Sequence, residues 1–213
     1  MDSNYGIKIW SDDNFIIEDG LAKINYDCKP SLISIVKDVR KQDFKGPLLL
    51  RFPHITEKQI NTLYNTFNAS IREYDYKGTF SAVFPLKVNQ LPNFIHPLIN
   101  CGKIFNYGLE AGSKAELVIA MTYNNIGAPI TVNGFKDKEM IHLCFIAKNM
   151  GHNITIIIEG LNELEMIIEV LNETKLACPN IGLRVRLHSG GSGMWAKSGG
   201  INSKFGLTST EIL

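Results

Sequence analysis

The stretch PITVNGFKDKEMIHLCFIAKNMGHNITIIIEG (residues 129–160) decides the fold class. It contains an apolar run, PITV, then a segment with helical spacing that begins at Asp137, and then a second apolar run, NITIII. Apolar runs separated by an amphipathic helix are typical of parallel strands, which are buried on both faces and joined by crossover helices. The stretch therefore predicts a βαβ unit.

The same alternation continues on both sides of this unit. The strand-like runs are FSAVFPLKVN (80–89), IFNYGLEA (104–111), PITVNGF (129–135), NITIIIEG (153–160) and IGLRVRLH (181–188). Capping-box patterns mark the helices between them, with Ser113 before Glu116 and Asn162 before Glu165. A barrel and a doubly wound sheet both fit an α/β pattern of this kind. Because a (β/α)8 barrel needs about 250 residues, we predict a partial TIM-type barrel, about its first half.

The residues before the first of these units have a different pattern. Two runs alternate polar and apolar residues, as half-buried strands do: YGIKIW (5–10) and LAKINY (21–26). Asp19 and Gly20 supply turn chemistry between them, and a helix is predicted from Ser31. We expect residues 1–40 to belong to a separate β-domain and residues 41–213 to form the incomplete barrel domain.

Two further elements are predicted where the barrel domain begins. PLLLRF (47–52) is a short strand candidate. A helix should follow, with Thr56 and Gln59 as its capping box. Its apolar face would consist of Ile60, Leu63, Tyr64 and Phe67.

Composition limits the classes of protein to consider. With 45% hydrophobic and 20% charged residues and a net charge of +1, the chain is typical of an ordinary globular protein with no general attraction to nucleic acid. No apolar run approaches the about 18 residues of a membrane span, and the N-terminus lacks signal-peptide features. Four well-separated cysteines are typical of thiols in a reducing cytoplasm. The scattered histidines make a zinc site improbable, so no metal ligand is assigned.

Lys87 and Glu110 are the first candidates for chemistry. In a covered sheet, a lysine within VFPLKVN would be desolvated and nucleophilic, as Schiff-base formation needs; alternatively, Lys87 ends the strand and reaches solvent. Glu110 falls at the carboxyl end of a strand, where functional groups of barrels concentrate, although it could also complement a helix dipole. Position favours a capping role for Glu116.

The fifth strand offers a second group of candidates. Arg184 and Arg186 alternate with apolar residues, so both are expected on one face, near a carboxylate or another anion. His188 at the strand end could be a base, but a simple hydrogen-bonding role is the stronger expectation. The glycine-dense loop 189–200 matches no phosphate-binding motif and fits a lid or substrate loop equally well.

Several segments together resemble the biosynthetic arginine decarboxylase family, pyridoxal-phosphate enzymes of fold type III. The matching stretches are LLLRFPHI (48–55), FNASIREYDYKGTFSAVFPLKVNQ (67–90), FNYGLEAGSKAEL (105–117) and SGGINSKFGL (198–207). The resemblance implies that Lys87 is the Schiff-base lysine and that Glu110 lies near the cofactor. It further implies that Ser113, together with Glu116, adjoins the cofactor site, and that Arg186 closes the fifth strand near the lysine.

The resemblance also implies an activity. This is the pyridoxal-phosphate-dependent decarboxylation of L-arginine to agmatine and carbon dioxide, a carboxy-lyase reaction that leads to polyamines such as spermidine. Magnesium is associated with the family, and a full-length member is expected to be a cytoplasmic homo-oligomer. No nucleic-acid or membrane partner is expected.

Segments of the family that should follow SKFGL (203–207) are missing from the sequence, including its cofactor-stacking histidine and phosphate loop. We therefore expect this chain to carry only the N-terminal part of the active site and to be inactive, or nearly so, by itself. Three alternatives remain open: a decarboxylase of the same fold acting on ornithine, lysine or diaminopimelate, a non-catalytic pyridoxal-phosphate carrier, and an inactive fragment.

Overall fold

The computed structural model describes residues 6–187, 200 and 203–212. The chain divides into two compact units, Met1–Gln59 and Ile60–Leu213. Among the described residues, no helix combines the length and the apolar character needed to cross a bilayer.

The first unit contains a β-hairpin and short helices. Its elements are α1 (Ile7–Trp10), β1 (Phe15–Glu18), β2 (Leu21–Ile24) and α2 (Leu32–Lys41). The antiparallel strands turn at Asp19 and Gly20, whose φ angles of 55° and 71° are those of the predicted Asp-Gly hairpin turn. Helix α2 begins as predicted, because the Ser31 side chain accepts a hydrogen bond from the Ser34 N–H.

Three predictions for the N-terminal region are wrong. YGIKIW is not a strand, because Gly6 adopts a left-handed φ of 64° and helix α1 begins directly after it. PLLLRF forms no strand. Helix α3 (Pro53–Glu73) begins three residues before Thr56, since proline is well accommodated in the first turn of a helix.

The second unit is a parallel sheet with helices. Its strands are β3 (Val83–Pro85), β4 (Gly108–Ala111), β5 (Pro129–Val132), β6 (Asn153–Ile158) and β7 (Asn180–Leu183). Its remaining helices are α4 (Pro92–Gly102), α5 (Lys114–Tyr123), α6 (Lys138–Asn149), α7 (Leu161–Thr174) and α8 (Ser209–Ile212), with 3-10 turns at Leu86–Val88 and Lys103–Phe105.

Strand order distinguishes the barrel from the doubly wound sheet. The order is β3-β4-β5-β6-β7, so each strand lies beside the strand that precedes it in the chain. Crossovers of one hand that always advance in one direction place their helices on the same face, whereas a doubly wound sheet reverses direction. The architecture is therefore consistent with a partial TIM-type barrel, as predicted.

The two faces of the sheet differ in polarity. The helix-covered face carries the core, in which Leu109, Ile130 and Ile156 are fully buried. The opposite, inner face carries a row of polar residues, because the register aligns Glu110 with Thr131, and Thr131 with Thr155. Side chains alternate between faces along a strand, so Asn133 and Glu159, two and four residues after Thr131 and Thr155, also belong to the inner face.

All five parallel strands are shorter than the runs that predicted them, two of them markedly so, and one helix cap is misplaced. The run 80–89 contributes only Val83–Pro85 to the sheet, and 181–188 contributes Asn180–Leu183 with an isolated bridge at Val185. Gly160, not Asn162, is the N-cap of α7.

Candidate active site

Polar side chains lie at the carboxyl ends of all five parallel strands. Lys87 follows β3, Glu110 is in β4, Asn133 follows β5, Glu159 follows β6 and Arg184 follows β7. In a parallel sheet these ends form one edge, which in barrel enzymes is the functional edge. We call this set of five residues the rim.

Lys87 lies in the 3-10 turn Leu86–Val88. Leu86 is fully buried, which anchors the turn, whereas Lys87 is exposed. The expectation of a desolvated lysine on a strand face is therefore wrong, and the alternative, that Lys87 ends the strand and reaches solvent, is confirmed. In the described part of the chain, no hydrogen bond or ion pair engages its amine, so the nitrogen is accessible to an aldehyde.

Glu110 is a buried carboxyl group near that amine. The side chain of Asn133 donates a hydrogen bond to Glu110 Oε1 at 3.2 Å. Burial raises the pKa of Glu110, and this effect is opposed by the positive charge of Lys87 and by the Asn133 hydrogen bond. The negative charges of Glu116 and Glu159 raise this pKa further. Glu110 can therefore hold a proton close to Lys87 at a higher pH than an ordinary glutamate.

Ser113 and Glu116 form the predicted capping box of α5. Ser113 Oγ accepts a hydrogen bond from the Glu116 N–H at 3.2 Å. The Glu116 carboxylate accepts from the Gly112 N–H at 2.7 Å and from the side chain of Gln90 at 3.1 Å. These bonds hold the turn between Glu110 and the helix, so the box also positions the rim.

Glu159 and Arg184 form an ion pair, in which Arg184 Nη1 donates to Glu159 Oε1 at 2.8 Å. A carboxylate or another anion near the arginines was expected from the alternation along the fifth strand. Glu159 itself was not predicted, although an acidic residue directly after an apolar strand was the available signal. Arg186 lies further along, where its guanidinium donates to the Gly206 carbonyl at 2.9 Å. Arg184 therefore pairs with Glu159 in the rim, and Arg186 lies two residues beyond it along the chain.

Some of the predicted site residues lie outside the part of the chain that the structure describes. His188 and residues 189–199 of the glycine-dense loop are outside the described residues. Within the residues that are described, no group of three or more histidine, cysteine, aspartate or glutamate side chains is arranged to hold a metal ion.

Comparison with known proteins identifies the family. Residues 58–212 match the family described as "Pyridoxal-dependent decarboxylase, pyridoxal binding domain". The chain belongs to this family.

Similar proteins in the pyridoxal-dependent decarboxylase family carry a more specific name. A biosynthetic arginine decarboxylase of Prochlorococcus marinus (strain AS9601) is 39% identical over 99% of this chain and 33% of its own length. One of Bacteroides thetaiotaomicron is 41% identical over 85% of this chain and 29% of its own length. The chain thus spans about a third of the length of the relatives it matches.

Solved structures of decarboxylases are also similar to this chain. The biosynthetic arginine decarboxylase SpeA from Campylobacter jejuni superposes with a TM-score of 0.88 at 59% identity, covering 100% of this chain and 33% of that one. A diaminopimelate decarboxylase from M. jannaschi gives a TM-score of 0.64 at 23% identity, covering 93% of this chain and 42% of that one, which shows a shared fold.

The rim suits the cofactor that the pyridoxal-dependent decarboxylase family implies. Pyridoxal phosphate carries an aldehyde, which needs an accessible primary amine, and Lys87 supplies one. The cofactor also carries hydrogen-bonding groups, and the rim includes a buried carboxylate oxygen of Glu159 that has no partner among the described residues. The Lys87 amine and the unsatisfied Glu159 oxygen are both compatible with pyridoxal phosphate.

Proposed function

We propose that this chain is the lysine-bearing part of a pyridoxal-phosphate-dependent arginine decarboxylase, which converts L-arginine to agmatine and carbon dioxide. The observation that carries the proposal is the accessible Lys87 amine at a strand end, close to the Glu110 carboxyl group. The positive charge of Lys87 acts on Glu110 and opposes the rise in its pKa that burial causes. The names of the relatives at 39% and 41% identity support the choice of arginine.

Three of the five rim residues, Lys87, Glu110 and Asn133, have distinct tasks in this proposal. When bound, pyridoxal phosphate supplies a ring that takes up the electrons released as the substrate carboxylate leaves. Lys87 would hold the cofactor through Nζ. Glu110, whose pKa burial raises, can hold and return a proton next to that nitrogen. Asn133 keeps Glu110 Oε1 in place through its hydrogen bond.

Reductive trapping tests the proposal on the chain as it exists. The protein is incubated with pyridoxal phosphate, reduced with borohydride and digested, and the labelled peptide is identified by mass spectrometry. We expect the label on Lys87 and its loss in Lys87→Arg. Lys103→Arg is the matched control, because Lys103 is also exposed and lies before β4, away from the rim. Label spread over exposed lysines, or unchanged in Lys87→Arg, would contradict the proposal.

Release of carbon dioxide tests the substrate. Because the chain by itself is expected to be inactive or nearly so, we expect at most slow release, with L-arginine preferred to L-ornithine, L-lysine and diaminopimelate. Preference for one of the other amino acids would favour a different decarboxylase of the same fold. Labelling of Lys87 without any release would favour a cofactor-binding part that needs further residues for catalysis.

Other features of the proposal rest on the resemblance. We propose that residues 1–40 belong to a separate β-domain and residues 41–213 to the cofactor-binding barrel domain. Ser113 and Arg186 are proposed to adjoin the cofactor, although the described contacts of their side chains are with backbone groups. A cytoplasmic homo-oligomer that uses magnesium, acting in polyamine biosynthesis, is proposed on the same basis.

A further inference from the structure

Glu159 is a buried carboxylate to which the proposed chemistry of Lys87 and Glu110 assigns no task. Its side chain is 2% exposed, and Oε1 accepts the hydrogen bond from Arg184. Its other oxygen, Oε2, is also buried and has no hydrogen-bond partner within the described residues. Since a buried acceptor without a donor opposes folding, such an atom in a native site calls for a specific explanation.

The backbone holds Glu159 in place on both sides. Its N–H donates to Glu163 Oε2 at 2.8 Å, and its carbonyl accepts from the Gly206 N–H at 3.1 Å. The position of the carboxylate is therefore set before any ligand arrives, as a binding residue requires.

The unpaired Oε2 belongs to the inner side of the rim. The pairing of Ile158 with Leu183 puts both residues on the helix-covered face, so Glu159 and Arg184, which follow them, lie on the inner face. Glu110 is on the same face, and the charge of Glu159 is near enough to raise its pKa. Glu159 and Glu110 therefore lie on the same face of the sheet, at the edge where the turn that carries Lys87 follows β3.

We propose that Glu159 is a ligand-binding residue, whose Oε2 accepts a hydrogen bond from an N–H or O–H donor of the ligand held at Lys87. This inference rests on the proposed function and adds a recognition element to it. Arg184 occupies Oε1 and leaves Oε2 to the ligand. The donor belongs either to pyridoxal phosphate or to the amino-acid substrate, and titrations with and without the substrate distinguish the two.

The test uses Glu159→Gln. The amide keeps a carbonyl oxygen for Arg184 but places an NH2 group, a donor, where the open acceptor lies. Glu165→Gln is the matched control, because Glu165 is exposed on α7 and six residues along the chain. The dissociation constant of pyridoxal phosphate is measured by absorbance titration, first alone and then with L-arginine present. The unfolding temperature of each variant is measured alongside.

We expect Glu159→Gln to weaken binding about tenfold or more, as the loss of a hydrogen bond to a charged group does. Weakening in the titration with pyridoxal phosphate alone assigns the donor to the cofactor, and weakening only with L-arginine assigns it to the substrate. The unfolding temperature should change little, because Arg184 is half-exposed and keeps a carbonyl acceptor at the Oε1 position.

Three results overturn the inference. Equal affinities for Glu159→Gln and Glu165→Gln in both titrations would show that Oε2 binds no ligand, while leaving the proposed function intact. A fall in the unfolding temperature confined to Glu159→Gln would assign Glu159 a structural role. Absence of binding at Lys87 in the unaltered chain would overturn the proposed function, and the inference with it.

Discussion

The buried ion pair between Lys136 and Glu163 offers the sharpest test of how the rim is supported. The two side chains are 0% and 2% exposed, and Lys136 Nζ lies 3.1 Å from Glu163 Oε1. The same carboxylate accepts hydrogen bonds from the backbone N–H of Lys136 at 3.3 Å and from that of Glu159 at 2.8 Å. One side chain of α7 therefore fixes the segments that follow β5 and β6.

Glu163→Ala should destabilise the chain severely. It leaves the buried Lys136 cation without its counter-ion and two backbone N–H groups without their acceptor. Removing one partner of a buried pair costs about 3–5 kcal/mol, which corresponds to a fall in unfolding temperature of about 6–20 °C for a chain of this size. Urea unfolding followed by circular dichroism, with linear extrapolation to water, measures the free energy directly.

Two controls isolate the charge. Glu165→Ala, on the exposed side of the same helix, should change the unfolding free energy by no more than about 0.5 kcal/mol. In the double variant Lys136→Met/Glu163→Gln neither charge remains, so it should be more stable than Glu163→Ala. The reasoning is refuted if Glu163→Ala loses less than about 1 kcal/mol, which is well below the about 3–5 kcal/mol expected for a buried charge that has lost its partner.

Two further predictions concern pH. Burial raises the pKa of Glu110 in the folded chain above its pKa in the unfolded chain. The contribution of Glu110 to stability is therefore complete at pH values below the unfolded pKa and is lost as the pH rises through the folded pKa. Glu110→Gln should therefore unfold at a higher temperature than the unaltered chain at pH 7 but not at pH 4, and a lower unfolding temperature at pH 7 would contradict this. Burial lowers the pKa of His152, whose Nδ1 has no partner among the described residues, so stability is lost as pH falls below the ordinary histidine value of about 6.5. His152→Gln should flatten the pH dependence of the unfolding free energy between pH 7 and 5, whereas the exposed His142→Gln should not; equal slopes in both would refute the assignment.

Local sequence signals predicted much of the fold because they act over a few residues. The Asp19-Gly20 turn, the Ser113 cap with Glu116 and the start of α6 after Asp137 are confirmed; each depends on side-chain-to-backbone bonding or on backbone preferences within one turn. The alternation of apolar runs and amphipathic helices predicted the βα units for the same reason, since the spacing of apolar residues within each segment is enough to indicate a strand or a helix.

Strand ends were less predictable because they depend on distant partners. Lys87 lies within an apolar run, yet the sheet ends at Pro85, and the chain turns away to expose the lysine. Pro85 itself fits because β3 has a neighbour on only one side in the described sheet, so its missing N–H costs no ladder bond on the other. The sequence offered no direct sign of that edge position.

The distinction between Arg184 and Arg186 shows which additional step would have located the rim. Alternation places both arginines on one face and cannot separate them. The parallel register can, because the pairing of Ile158 with Leu183 brings the next residues, Glu159 and Arg184, side by side. Beyond that level β6 has ended, and Arg186 meets Gly206 instead. An acidic residue just after one strand and a basic residue just after the next therefore predict an ion pair wherever two consecutive parallel strands end in register, and such a pair lies on the functional edge of the sheet.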